Sequence, residues 1–184
     1  GMPSVLYTFG ISHPGAITLH NYPRTLQEFD REGELFDLAA IDILRDRERG
    51  IPRYNRFREA FHKAPVRRFD QLSANPAWAE EIRRVYEDDI DAVDLMVGLL
   101  VEPRPRGFGF SDTAFRVFHL MASRRLKSDR FFTDCYNAEH YTRAGLDWID
   151  NNSMKTVLLR HFPGLAPALG PIENAFVPWV RVVR

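Results

Sequence analysis

The sequence predicts an all-α protein, a single mainly helical domain over residues 1–184. Three observations point there. Apolar residues recur at spacings of three and four along several stretches, which places them on one face of a helix. Those stretches open on residues suited to capping, among them Asp37, Asn75 and Ser111. Val, Ile and Thr never alternate with polar residues for long enough to define a strand.

The elements follow in order. "AITLHNYP" reads either as a strand or as one face of a helix that ends before Pro23. A helix from Pro23 to about Phe29 and a turn through Gly33 come next. Asp37 is placed to accept from the free amides of a first turn, so it opens a helix that buries Leu38, Ile41 and Leu44 and ends at Gly50. Asn75 and Pro76 start another, because proline at the first helical position forfeits no internal hydrogen bond; Trp78, Ile82 and Val85 form its apolar stripe. Asp88 and Asp89 are expected to cap the helix in which Leu95, Met96, Leu99 and Leu100 are buried. "EPRPRGFGF" at 102–110 is a loop by its prolines and glycines. Ser111 and Asp112 open "SDTAFRVFHLMASRRL", and "AEHYTRAGLDWID" and "SMKTVLLRHF" follow as shorter helices.

Composition excludes several functions. Apolar residues make up 45% and charged residues 27%, ordinary for a soluble domain. Basic and acidic residues balance at 25 each, so no global field favours nucleic acid or an anionic membrane. The arginines of "RDRERGIPRYNRFR" alternate with acids and lack the one-signed stripe that a phosphate backbone needs. Cys135 is the sole cysteine, which leaves no disulfide framework within one chain and no paired-Cys zinc site. No HExxH occurs, and "GFGF" lacks the strand-to-helix context of a nucleotide fingerprint. The first residues show no secretory signal, and no segment approaches the roughly 20 apolar residues of a transmembrane span. A cytoplasmic protein, at most peripheral at a membrane, is the expectation.

Two stretches concentrate the chemistry. In "LAAIDILRDRERGIPRYNRFR", Asp42 and Arg45 stand three apart, as do Asp46 and Arg49. Such pairs on a solvated helix face contribute about 0.3–0.5 kcal/mol each. Asp42 differs from the other acids in lying between Ile41 and Ile43, where partial burial would demand a donor such as an imidazole N–H or a guanidinium. In "MASRRLKSDRFF", Phe118, Met121, Ala122 and Arg125 share a helix face. A guanidinium at the end of an apolar stripe suits a ligand with an apolar tail and a carboxylate head. The plainer alternative is an ion pair of Arg125 with Asp129 or Asp134.

Together these stretches resemble the peroxidase–cyclooxygenase superfamily, whose best-known members are the animal haem peroxidases. Its members carry a run close to L-N-x-Q-R-x-R-D-H-G-x-P-x-Y-N-x-x-R, and "IDILRDRERGIPRYNRFR" matches at Arg45, Arg47, Gly50, Pro52, Tyr54, Asn55 and Arg58. Asp42 replaces the usual Asn, Glu48 the Asp and Arg49 the His. "DRER…PRYN", "VDLMVGLLVE", "GFGFSDTAFRVFHLMASRRLKSDRFF", "YTRAGLDWID" and "LLRHFP" are similar to the fatty-acid α-dioxygenases of plants and their bacterial relatives, in the same order. The likeness runs from about residue 13 to 179 and implies the C-terminal part of a haem peroxidase-like catalytic domain.

The resemblance also implies roles. Asp42 occupies the position that receives the proximal histidine's ring N–H, Arg45 that of an arginine holding a haem propionate, and Arg125 that of the residue binding the fatty-acid carboxylate. The family further needs a haem, a proximal and a distal histidine, and a tyrosine three residues before the proximal histidine that takes a hydrogen from the carbon beside the carboxylate. No Tyr-x-x-His occurs among the six tyrosines and six histidines; Tyr136 precedes His140 by four. His119 faces away from Arg125, and His13 and His20 are the only neighbouring pair. The expectation is therefore a segment that carries the substrate arginine and the haem surroundings without catalytic residues of its own, binds no haem alone, and is inactive alone. Its partners would be a fatty acid and either a haem-bearing N-terminal portion or a second copy. The alternative is a non-catalytic fatty-acid-binding or protein-interaction module with part of the same fold.

Overall fold

The computed structural model describes residues 1–12 and 17–182. Its helices are α1 Met2–Ile11, α2 Arg24–Gln27, α3 Leu38–Glu48, α4 Tyr54–Ala60, α5 Phe69–Leu72, α6 Pro76–Val85, α7 Leu95–Val101, α8 Asp112–Ser128, α9 Ala138–Asp150, α10 Met154–His161 and α11 Ala166–Leu169. The mainly helical class is as the sequence predicts. A small antiparallel hairpin, β1 Phe29–Arg31 with β2 Glu34–Phe36, turns through Gly33 at φ +86°. Its strands have three residues each, too few for alternation to show, and the first takes the end of the helix expected up to Phe29.

The chain divides into two units, one of residues 15–122 and the other of 1–14 with 123–184. The core of the first gathers Tyr54, Phe69, Leu72, Ala79, Ile82, Val93 and Val101. The second is built on Leu165, Ala168, Leu169 and Trp179, with Leu6, Tyr7 and Ile11 of α1 packed on them. Helix α1 lacks a polar periodicity and was not expected from the sequence. Gly10 on it admits the indole of Trp179, and the main-chain N–H of Trp179 donates to the Gly10 carbonyl at 2.8 Å.

Capping chemistry falls where the residue types place it. Asp37 accepts from the amides of Ala39 and Ala40 at 2.9 and 3.1 Å. Asn75 accepts from Ala77, and Ser153 forms a reciprocal box with Thr156. Gly50, at φ +69°, ends the α3 segment in the left-handed region that glycine enters without strain.

Burial departs from the spacing in several places. Leu38 and Ile41 are only half-buried and Leu44 is 53% exposed. On α6 the inner stripe is Ala79 and Ile82, flanked by Trp78, while Val85 is left 65% exposed. Asp89 caps a short 3-10 turn at Ile90–Ala92, and α7 starts only after Asp94. On α7, Leu95, Met96, Leu99 and Leu100 are half-buried; Gly98 and Val101 are the buried positions, because the Tyr54 ring lies against Gly98.

Candidate functional site

Three arginines of residues 45–58 reach two distant carboxylates. Asp94, the residue before α7, has a side chain only 5% exposed. It accepts from Arg47 Nε at 3.0 Å and Nη2 at 2.6 Å, from Arg53, and from the Tyr86 hydroxyl at 2.8 Å. Burial alone would raise this carboxyl, but the hydrogen bonds from Arg47 and Tyr86 and the charge of Arg53 outweigh it and hold Asp94 below the usual carboxylate range. Burial, then the hydrogen bond to Asp94, pushes the Tyr86 phenol up to about 12.

At the other end of α7, Glu102 is buried among Arg58 Nη1 at 2.6 Å, Lys63 Nζ at 3.0 Å, and the backbone and hydroxyl of Thr113 at 3.2 and 3.0 Å. Lys63 also reaches Asp112 at 2.6 Å, and its hydrogen bond keeps that carboxyl low. Between the two clusters Tyr54, fully buried, gives its backbone N–H to the Val93 carbonyl at 2.9 Å. Asn55 holds the loop at Val66 through both its amide atoms, at 2.9 Å each way. Helix α7 is thus pinned at both ends by one segment, and every buried side-chain N or O atom among the described residues has a partner.

Asp42 and Arg45 lie outside these clusters. They face each other at 3.8 Å, three residues apart, with side chains 53% and 60% exposed. The partial burial expected of Asp42 is not found: α3 has no buried residue, so its flanking isoleucines do not enclose it. Arg125 is exposed on α8, and neither Asp129 nor Asp134 pairs with it among the described residues. In 15–122, Phe118 and Met121 of the same helix are exposed.

Of the histidines, His20 bonds Glu81 through Nε2 at 2.7 Å and meets the edge of Trp78. Its suggested partner His13 lies outside the described residues. His119 is exposed and packs beside Phe115, as a surface or packing histidine would. No group of three or more His, Cys, Asp or Glu among the described residues could hold a metal ion. Asp94, Glu102, Lys63 and Tyr86 were missed from the sequence. The available signal was the pair of acids bracketing the apolar run "LMVGLLV", which has no polar residue of its own to neutralise them.

Fold and site together define a helical protein whose arginine-rich segment braces an apolar helix and leaves a carboxylate–guanidinium pair on an open helix face. The chain belongs to the animal haem peroxidase family, whose sequence pattern matches residues 1–171. It is 43% identical to Alpha-dioxygenase 2 of Arabidopsis thaliana over 97% of this chain and 30% of that protein. It is 38% identical to Alpha-dioxygenase PIOX of Oryza sativa subsp. japonica, with the same coverage. Among solved structures, an Oryza sativa fatty acid alpha-dioxygenase variant with palmitic acid superposes with a TM-score of 0.90 at 36% identity, covering 100% of this chain and 31% of that one. The Arabidopsis thaliana fatty acid alpha-dioxygenase gives 0.87 at 37% identity, covering 100% and 30%. The sequence thus falls in the fatty-acid α-dioxygenase branch, and it spans about 30% of the length of the relatives it matches. No helix among the described residues is long and apolar enough to cross a membrane.

Proposed function

We propose that residues 1–184 act as one C-terminal portion of a haem-dependent fatty-acid α-dioxygenase or related peroxidase, in a cytoplasmic or membrane-peripheral setting. The observation that carries this reading is the likeness to α-dioxygenases along the whole chain over less than a third of their length. In it Arg125 binds the fatty-acid carboxylate, supported by an exposed guanidinium without an ion-pair partner among the described residues. Arg45 faces a haem propionate and Asp42 the proximal histidine's ring N–H, supported by their outward placement on a helix whose other side is anchored.

The residues present fit the rim of a haem site and not its iron centre. A carboxylate and a guanidinium stand open on α3, whereas no Tyr-x-x-His exists and His20 Nε2 is engaged by Glu81. When bound, haem supplies the oxidising centre; this chain supplies charge to orient it and to hold the substrate head. Alone it binds no haem and turns over no fatty acid.

Two measurements test this. Haem titrated into the purified chain gives no stoichiometric histidine-ligated Soret band; such a band would overturn the absence of a ligand. Co-expressed with the haem-bearing portion of a relative, the chain restores oxygen uptake with palmitic acid, and failure of every such pair to assemble sinks the proposal.

A further inference from the structure

Helix α3, which presents Asp42 and Arg45, is poorly secured by apolar packing. None of its 11 residues is buried, and none belongs to the core around Tyr54. A cavity of about 390 Å³ lies beneath it, lined by Ile43 and Arg47 of α3, by Ile82, Val85 and Tyr86, and by Val97 of α7. Helices with so little closed apolar contact ordinarily open by local fluctuation. Across that cavity one firm attachment remains, the two parallel hydrogen bonds from Arg47 to the 5%-exposed Asp94. A bidentate guanidinium–carboxylate pair fixes direction as well as distance. Residues 42 and 47 are roughly 140° apart around a helix and residues 45 and 47 roughly 160°, at about 100° per residue. Holding Arg47 inward therefore turns Asp42 and Arg45 outward, where both are more than half exposed.

We infer that Arg47 is a positioning residue: its ion pair with Asp94, rather than burial, docks α3 and sets the azimuth at which Asp42 and Arg45 are presented. The functional meaning of that azimuth rests on the haem-facing reading of those two residues; the docking does not. Arg47 is also the partner that can be removed cleanly, since Asp94 keeps Arg53 and Tyr86.

The test is amide hydrogen exchange on the purified chain. In R47Q the amides of residues 42–48 exchange at least tenfold faster than in wild type, while those of α6 and of residues 98–101 change less than twofold. R47K, which keeps the charge but not the fork, is intermediate. Raising NaCl to about 1 M loosens wild-type α3 in the same direction, because the pair is partly open to screening. Unchanged α3 protection in R47Q, equal loss in every helix, or a wild-type α3 that exchanges like free peptide would each overturn the inference. Those outcomes leave the haem-facing reading standing. That reading fails separately if D42N and R45Q leave the haem spectrum of the completed enzyme unchanged.

Discussion

Gly98 of α7 lies directly under the ring of Tyr54 of α4, so close that a methyl group there would overlap Cγ and Cδ2. Tyr54 is fully buried and belongs to the core that also holds Val93 and Val101. The G98A variant must therefore push α7 away from α4 or force the ring from its rotamer. A loss of about 1–3 kcal/mol is expected, the range for overpacking a dense core. Alanine's better helix propensity returns at most ~1 kcal/mol. Urea unfolding of G98A reads the sum, and an unchanged midpoint would contradict the close approach.

The ion pairs differ in worth by burial. Glu102 is 9% exposed and bonded to Arg58, Lys63 and Thr113, whereas Asp42 and Arg45 meet at 3.8 Å in solvent. In E102Q two largely buried cations lose their shared anion, with Lys63 keeping Asp112 as its one carboxylate beside the Thr113 hydroxyl, and the expected loss is about 3–5 kcal/mol. D42N should cost no more than about 0.5 kcal/mol. Comparable destabilisation by the two variants in urea would show that the α7 clamp is not buried.

The contrast shows which parts of this protein can be read from its residue types. Caps such as Asp37 and Asn75 were legible because the side chain bonds amides two or three residues away. The arginines were legible only where a local acid answers them, as Asp42 does Arg45; Arg47, Arg53 and Arg58 have no acid three or four residues away to announce a partner. Arg47 and Arg53 instead reach Asp94, 47 and 41 positions on, and Arg58 reaches Glu102, 44 positions on. Periodicity likewise placed Val85 and Leu44 inside. It reports which face is apolar, not whether a neighbouring element covers it; on α6 the covered positions are Ile82, as expected, and Ala79, while Val85 is left 65% exposed.

Stability should decline on both sides of a broad plateau. Tyr86 is raised to about 12 by burial and its bond to Asp94, and burial raises Tyr54 also. An unfolded phenol ionises near 10. Above that pH the unfolded chain releases protons that the folded one retains, so stability is full below about 10 and falls as pH rises toward 12. Asp94 and Asp112 are lowered, so the stability they contribute is present above the unfolded value near 3.9 and is lost as pH falls below it. Urea midpoints across pH 2–12 check both limbs, and phenolate absorbance should show Tyr54, Tyr86 and, through its hydrogen bond to Asp150, Tyr136 lagging the other three. Six tyrosines ionising together would refute the alkaline limb.

Arg125 offers the sharpest separation of function from fold. Its guanidinium is exposed on α8, so R125A should move the urea midpoint by no more than about 0.5 kcal/mol. If Arg125 has the proposed role, the same change in the completed enzyme removes a charge-assisted bond to the fatty-acid carboxylate, with an expected loss of about 1.5–3 kcal/mol, or roughly 10- to 150-fold in affinity. R125K should recover part of it, because an ammonium keeps the charge but cannot match a carboxylate with two parallel N–H groups. A fatty alcohol of equal chain length, lacking the carboxylate, should bind wild type and R125A alike. Equal palmitate affinity in wild type and R125A would remove the carboxylate role, and a large drop in stability would assign Arg125 to the fold instead.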